Sequence, residues 1–266
     1  IILVLYMLKT IVIIILLILI SILIFLLHRN REGFKEYWEE HDKEFLENVQ
    51  DTHFNKQIMN FNLQQENEFI LNTLLKSPKN SVFLDVGAHN GSTCLPIAKE
   101  LKNNNRNDIR IIAFEPNQKL SNEINKKSNE NKLNIKCINI VVSDSKSTVF
   151  KKSDEGSGTM YDTIFEGEEF KSNTLDNLLD ELNIKSVFFL KVDVEGHEPK
   201  LLKGATKILK NTSHLYIEIW SNKHYETRSN KKGVSYNKNI LSHLNDFYPI
   251  QKYEKNYYFK HKNLLN

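Results

Sequence analysis

The sequence predicts an α/β fold built on parallel strands covered by helices on both faces. Three observations carry this. Phe83-Leu84-Asp85-Val86-Gly87-Ala88-His89-Asn90-Gly91-Ser92 reads as a buried strand that turns through glycines straight into a helix. Further apolar runs follow at Ile109–Phe114, Ile135–Val142 and Val187–Val194, rich in β-branched and aromatic residues as expected of strands buried on both faces. Each of the four runs carries an acid at its C-terminal end: Asp85, Glu115, Asp144 and Asp193. Ligands of open parallel sheets sit beyond those ends.

Residues 1–28 are of another kind. From Ile11 to Leu27 every residue but Ser21 is apolar, and Lys9 is the only charge before His28. A membrane span needs about 20 apolar residues. No small-residue cleavage site precedes His28-Arg29-Asn30-Arg31, so an uncleaved single-pass anchor is expected rather than a signal peptide. Arg29, Arg31 and Lys35 follow the span, which favours a cytosolic catalytic domain. Cys94 and Cys137 suit a reducing compartment. Asn90-Gly91-Ser92 is a formal glycosylation acceptor inside the glycine loop, where a glycan would block it.

Residues 29–65 form a charged juxtamembrane linker, with Phe34, Tyr37, Trp38, Phe45 and Val49 at rough helical spacing. The domain proper is expected over 66–266. Its first helix carries Phe69-Ile70-Leu71 and Leu74-Leu75, packs on the sheet edge and stops near Ser77-Pro78.

The glycine loop then follows. Its glycines remove Cβ atoms that would keep the backbone from a ligand. Asp85 sets it apart from the Gly-x-Gly-x-x-Gly of nicotinamide enzymes, because a carboxylate there repels a pyrophosphate. It does not repel a ligand with ammonium or sulfonium charge, and S-adenosylmethionine carries both. Gly87 and Gly91 could equally serve close helix–strand packing. Glu115 is placed to bind ribose hydroxyls, or to cap the helix starting near Asn117. The third strand runs into Ser143-Asp144. Val149 to Lys171 lacks the βα rhythm and reads as a hairpin or flap. Asp176 reads as a helix N-cap. The fourth strand runs into Glu195-Gly196-His197-Glu198. Tyr216–Ile219 fits a fifth strand, Tyr236–His243 a helix, and Phe247–Glu254 with Asn256–His261 a closing antiparallel hairpin.

The 266 residues carry a net charge of +3, which gives no electrostatic case for nucleic acid. Lysine is mixed with acids and asparagines, and arginine is scarce. The two cysteines read as small buried apolar groups, with no disulfide framework or metal spacing.

The chain resembles the FkbM-type S-adenosylmethionine-dependent methyltransferases. The resemblance rests on Phe83–Gly91, Ala113-Phe114-Glu115-Pro116, Val142-Ser143-Asp144, Thr174-Leu175-Asp176 and above all Leu190-Lys191-Val192-Asp193-Val194-Glu195-Gly196-His197-Glu198 with Leu201-Leu202-Lys203-Gly204-Ala205. It covers roughly Glu66 to Trp220. It implies a Rossmann-like seven-stranded methyltransferase sheet with S-adenosylmethionine as cofactor and, usually, O-methylation of varied acceptors. The cofactor site is then expected at Asp85, Gly87, Ala88, His89, Asn90, Gly91, Glu115, Ser143, Asp144 and Asp193.

Methyl transfer to an alcohol also needs a proton acceptor. His197 lies just past the fourth strand, and an imidazole titrates near neutrality. It could instead cap the helix starting near Glu198. Asp193 and Glu195 could orient that base or bind the methionine amine. Asp193, Glu195, His197 and Glu198 could also bind a divalent cation, but their spacing has no specific metal signature and no metal ligand is assigned. The expected protein is a membrane-anchored O-methyltransferase for a small-molecule or glycan acceptor such as a sugar or glycolipid. The alternative is a catalytically inactive membrane-tethered nucleotide-binding protein of the same fold.

Overall fold

In the computed structural model, residues 56–151, 160–161, 168–219, 236–253 and 256–264 are described, and all belong to a unit spanning Phe54–Asn266. The expected span at 11–27 and the linker aromatics lie outside them. Among the described residues no helix is long and apolar enough to cross a membrane.

Helix α1 (Lys56–Leu75) leads into strand β1 (Val82–Val86), α2 (Cys94–Asn103), β2 (Arg110–Phe114), α3 (Gln118–Asn131) and β3 (Ile135–Ile138). After the short strands β4 (Val141–Ser143), β5 (Ser147–Lys151), β6 (Met160–Tyr161) and β7 (Glu168–Thr174), the rhythm resumes. It continues with α4 (Leu175–Glu181), β8 (Val187–Val192), α5 (Glu198–Lys203), α6 (Thr206–Leu209), β9 (Thr212–Glu218) and α7 (Tyr236–Ser242). The hairpin β10 (Phe247–Tyr253) and β11 (Asn256–His261) closes the fold.

The main sheet has seven strands in the order β3-β2-β1-β8-β9-β11-β10. Its first five strands are parallel, and β11 runs antiparallel to both neighbours. From β1 the chain steps to β2 on one side, and it later returns to β8 on the other. The gap between the ends of β1 and β8 is therefore the switch point where parallel sheets open a crevice.

Alternate residues of each strand face opposite sides. Phe83, Ile111, Ala113, Cys137, Phe189, Tyr216 and Tyr258 share one core cluster with Ile70 and Leu74 of α1 and Ile97, Ala98 and Leu101 of α2. Leu84, Ile112, Leu190 and Leu215, on the other face, are also fully buried. The expectation of a sheet covered on both sides holds.

Helix α1 corrects one expectation. It lies against the face of the sheet, not its edge: Phe69 makes ring contacts with Phe189, Tyr216 and Tyr258, from three different strands. Arg106 holds its C-terminus by donating to the carbonyls of Leu74, Leu75 and Pro78, while Asp108 fixes the guanidinium at 3.0 Å.

The third strand is a second correction. Ile135–Val142 is not one strand. Asn139 donates from Nδ2 to the carbonyls of Glu115 at 3.1 Å and Pro116 at 2.6 Å, which turns the chain out of the main sheet. Residues 141–143 then pair with β7 in a separate four-stranded sheet, β4-β7-β5-β6. Asp144 accordingly does not end a strand of the main sheet. The hairpin expected after the third strand is present as the antiparallel β5–β7 pair.

At the β3 edge, Asn125 of α3 pairs with Cys137 as a strand would, donating to its carbonyl at 2.8 Å and accepting from its N–H at 2.9 Å. Asp176 does not cap its own helix. Thr174 does that, accepting from the Asn177 N–H. The Asp176 carboxylate instead accepts from Lys207 N–H at 2.9 Å and Ile208 N–H at 2.8 Å, capping α6 from a distance.

His214 sits among Phe188, Phe189 and Tyr258, with Nδ1 2.7 Å from the Tyr258 hydroxyl. Burial, assisted by Lys260, pushes its pKa down to about 4. The unfolded chain takes up this proton near the ordinary value of 6.5, and the folded chain does not until about pH 4. The stabilisation from neutral His214 is thus complete above pH 6.5 and is lost as pH falls toward 4. Urea midpoints measured across this window are expected to fall more steeply for the parent than for His214→Gln. Parallel curves refute this account.

Candidate active site

The crevice between β1 and β8 opens into a cavity of about 370 Å³. It is lined by Leu63 and Glu66 of α1, the loop after β1 (Gly87, Ala88, His89, Ser92, Thr93), Glu115-Pro116 after β2, Ile140–Val142, Lys191, and Asp193, Val194, Glu195 and His197 after β8. A larger depression of about 590 Å³ runs along the outer surface of α3, but one helix and its preceding turn supply all its lining residues.

The β1 loop is drawn tight by backbone bonds from Gly87 and Ala88 N–H to the Phe114 carbonyl at 3.0 and 3.1 Å. Gly87 has φ +87°, and a Cβ there would fall 1.8 Å from the Asp193 carbonyl oxygen. The glycine is thus required by the neighbouring loop. Gly91 has φ +79°, and a Cβ there would meet Leu95 at 2.6 Å and Ile124 at 3.0 Å. Of the two roles expected of it, these contacts fit packing, here between α2 and α3 and not between helix and strand. His89 and Glu195 hold left-handed φ of +50° and +53° at the cavity rim, a conformation that costs free energy in residues with side chains.

Glu115 accepts from His89 N–H at 2.7 Å through Oε2 and from Asn117 N–H at 2.8 Å through Oε1. It therefore ties the β1 loop to the start of α3, whose N-cap is Asn117 itself. Glu115 also lines the cavity, where a carboxylate can accept from a ligand hydroxyl.

Below this layer lies a buried ion cluster that sequence reasoning missed. The Lys191 ammonium is 3.1 Å from Asp193 Oδ2, 3.8 Å from Glu66 Oε1 and 4.0 Å from Asp85 Oδ1. Asp85 is fully buried within β1 and does not line the cavity, and neither of its oxygens has a hydrogen-bond partner of normal geometry. Burial raises its pKa against the pull of Lys191 and the Cys94 thiol beside it. Burial alone lowers the Lys191 pKa, but Asp193, Asp85 and Glu66 together raise it above the ordinary 10.5, so the ammonium stays charged. A lysine inside Val187-Phe188-Phe189-Leu190-Lys191-Val192 was the available signal, since a charge in such a strand needs partners. Glu66 left no signal, being one of several polar residues in a helical turn.

His197 is buried, and its Nε2 lies 3.0 Å from Ser143 Oγ. Its side chain makes no N-cap bond to α5. Ser143 and Asp144 are not on the cavity wall: Ser143 backs His197, and Asp144 is 2.7 Å from Lys203 Nζ. Asn90 and Gly91 also lie off the wall, and Asn90 accepts from Ser92 N–H at 3.0 Å. Glu198 accepts from Val194 and Gly196 N–H, both at 3.2 Å, shaping the β8 loop. Of the expected residues, the structure thus gathers Gly87, Ala88, His89, Glu115, Asp193, Glu195 and His197 around one cavity. Among the described residues no cluster of three or more His, Cys, Asp or Glu is arranged to hold a metal.

The donors present fit S-adenosylmethionine. Glu66, Glu115, Asp193 and Glu195 line the cavity, and of these Glu66 and Asp193 lie beside the Lys191 ammonium. Glu66 Oε1 at the floor, and both Asp85 oxygens beneath it, are buried carboxyl oxygens without a hydrogen-bond partner. Such a floor favours a cationic amino-acid and sulfonium portion and disfavours a pyrophosphate. Val86, Phe114, Pro116, Ile140, Val141 and Val142 provide apolar surface for a flat base.

Seven strands in this order, with an acidic crevice at the switch point, define a Rossmann-like S-adenosylmethionine-dependent methyltransferase domain. The chain belongs to the FkbM methyltransferase family: the model of the methyltransferase FkbM domain matches residues 85–257. It is similar to the hexuronic acid methyltransferase AglP of Haloferax volcanii, 26% identical over 160 residues, or 59% of this chain and 63% of that protein. The match thus spans less than two thirds of that relative. Among solved structures, a putative caffeoyl-CoA O-methyltransferase from Staphylococcus aureus matches with TM-score 0.44 and 10% identity, over 84% of this chain and 91% of the other. TrmK of M. capricolum, solved with S-adenosyl-homocysteine, matches with TM-score 0.34 and 15% identity, over 73% and 68%.

Two substitutions separate packing from ligand contact. Gly91→Ala is expected to cost about 1–3 kcal/mol of stability in chemical denaturation, because α2 and α3 must part. Glu115→Ala is expected to raise the S-adenosylmethionine Kd by about ten- to a hundredfold in calorimetry, since both the hydroxyl acceptor and the loop anchor are lost. A Gly91→Ala protein of parental stability with weakened binding reverses these assignments.

Proposed function

We propose that the whole protein is a membrane-anchored O-methyltransferase whose acceptor is a sugar hydroxyl, on a glycan or glycolipid bearing a sugar acid. The observation that carries the O-methylation reading is the buried His197 on the cavity wall, with Nε2 3.0 Å from Ser143 Oγ. A hydroxyl acceptor must lose a proton as it attacks, and an imidazole at the cavity wall is a fitting acceptor. Ser143 fixes the ring, and the Glu198 bonds hold the loop that presents it. When bound, S-adenosylmethionine supplies a methyl group activated by the sulfonium. The chain's own part is orientation: holding acceptor oxygen and methyl carbon in line can supply much of the rate. The hexuronic acid methyltransferase relative supports the sugar-acid reading. Residues 11–27 support the anchor, and the basic residues after them support a cytosolic domain.

Transfer of labelled methyl from S-adenosylmethionine into glycans and glycolipids with and without uronic acid tests the acceptor class. His197→Ala is expected to lower kcat by roughly 10²–10⁴-fold with little change in cofactor Kd. The alkaline rise of the parent's rate is expected to vanish in the variant. Near-parental turnover with an unchanged pH profile removes His197 from the chemistry.

A chain beginning at Arg31 is expected to stay soluble without detergent and to bind cofactor in calorimetry. It is expected to methylate water-soluble acceptors as the full chain does and to lose activity only on vesicle-borne ones. A truncated chain that aggregates unless detergent is present overturns the view of 11–27 as a separable anchor.

A further inference from the structure

Helix α1 precedes the segment that the family model matches, yet it delivers a carboxylate to the cavity floor. Glu66 Oε2 accepts from the Tyr216 hydroxyl at 3.3 Å. Its Oε1 is buried, has no hydrogen-bond partner, and lies 3.8 Å from Lys191 Nζ, beyond hydrogen-bonding reach. The neighbouring Asn67 donates to the Ser92 carbonyl at 3.0 Å, which fixes this turn of α1 to the β1 loop.

Among the described residues, the carboxyls of Glu66, Asp85 and Asp193 all lie within 4.0 Å of the same Lys191 ammonium, three carboxyls to one cation. The groups facing Glu66 are Lys191 and Asp193 of the β8 segment, Asp85 of β1 and Tyr216 of β9; Cys94 of α2 reaches the cluster through Asp85. Burial, with Asp193 and Asp85 adding to it, raises the Glu66 pKa from 4.5 despite Lys191. The free protein therefore retains a proton in this cluster above the ordinary carboxyl range.

We propose that Glu66 is a binding residue for the cationic portion of S-adenosylmethionine, and that cofactor binding displaces a proton from the Glu66–Asp85–Asp193 cluster. This rests on the methyltransferase reading of the same cavity. The ligand's ammonium provides the charge and the donor that Glu66 Oε1 lacks. The cluster ionises fully when the cation arrives, and the proton leaves to solvent. The bound state holds fewer protons than the free state, so affinity rises with pH through the window above 4.5 in which Glu66 still holds its proton when free.

The test is titration calorimetry of the full chain with S-adenosylmethionine, from about pH 5 to about pH 8, in buffers of different ionisation enthalpy. The parent is expected to release protons on binding, with affinity rising as pH rises. Glu66→Gln retains an acceptor for Tyr216 and removes the charge. It is expected to bind about ten- to a hundredfold more weakly, with reduced proton release and a flatter pH dependence. Glu66→Asp, which keeps the charge on a shorter arm, is expected to recover part of the proton release. Thermal melts of each variant without cofactor separate misfolding from lost contact, and a variant that melts with the parent is the one read. Glu66→Gln with parental affinity and parental proton release overturns the inference. A parent that binds no S-adenosylmethionine overturns the methyltransferase reading itself.

Discussion

The site depends on how closely the ends of β1 and β8 approach. At Gly87 the space that a Cβ would take is already filled by the Asp193 carbonyl. That contact brings two loops from opposite halves of the sheet into one wall. In the same wall Asp193 lies 3.1 Å from Lys191, and the left-handed His89 donates its N–H to Glu115. A wider gap would leave the same residues on separate strands with no shared cavity.

Around this contact the chain spends charge in an unusual place. Lys191 sits in a strand whose other residues are apolar, and three carboxyl groups lie within 4.0 Å of its ammonium. Buried charges of this kind add little to folding, because desolvation offsets their attraction. Their effect is on what the cavity accepts. Glu115 works differently: its oxygens hold the backbone of two elements in register, so the polar ligand face and the fold share one side chain.

Much of this was legible in the sequence, for physical reasons. Strands buried on both faces appear as unbroken apolar runs, so β1, β2 and β8 were found with the acids at or just beyond their ends. The break after Ile138 was hidden, because Ile135–Val142 stays apolar except for Lys136 and Asn139, and only the tertiary bonds of Asn139 turn the chain. Ser143 and Asp144 were consequently expected at the end of a main-sheet strand, and they lie instead beside His197 and Lys203, off the cavity lining. The partnership of Asp176 with α6 links residues about 30 positions apart, which no local pattern encodes. Glu66 stands in Gln64-Gln65-Glu66-Asn67-Glu68, a stretch that looks like any solvated helix surface. Gly91 was left open between ligand approach and packing, because a sequence does not say which neighbour a missing Cβ admits.

Asn125 has a consequence beyond its own helix. A sheet that stops at an exposed strand offers free N–H and C=O groups to any extended peptide. At Cys137 those groups already face a side-chain amide that imitates the next strand. A second polypeptide cannot prolong the sheet there without first expelling Asn125 and stranding its amide. The β3 margin is therefore guarded against recruitment into intermolecular ladders, and the guard is a single asparagine of the kind that recurs throughout this chain.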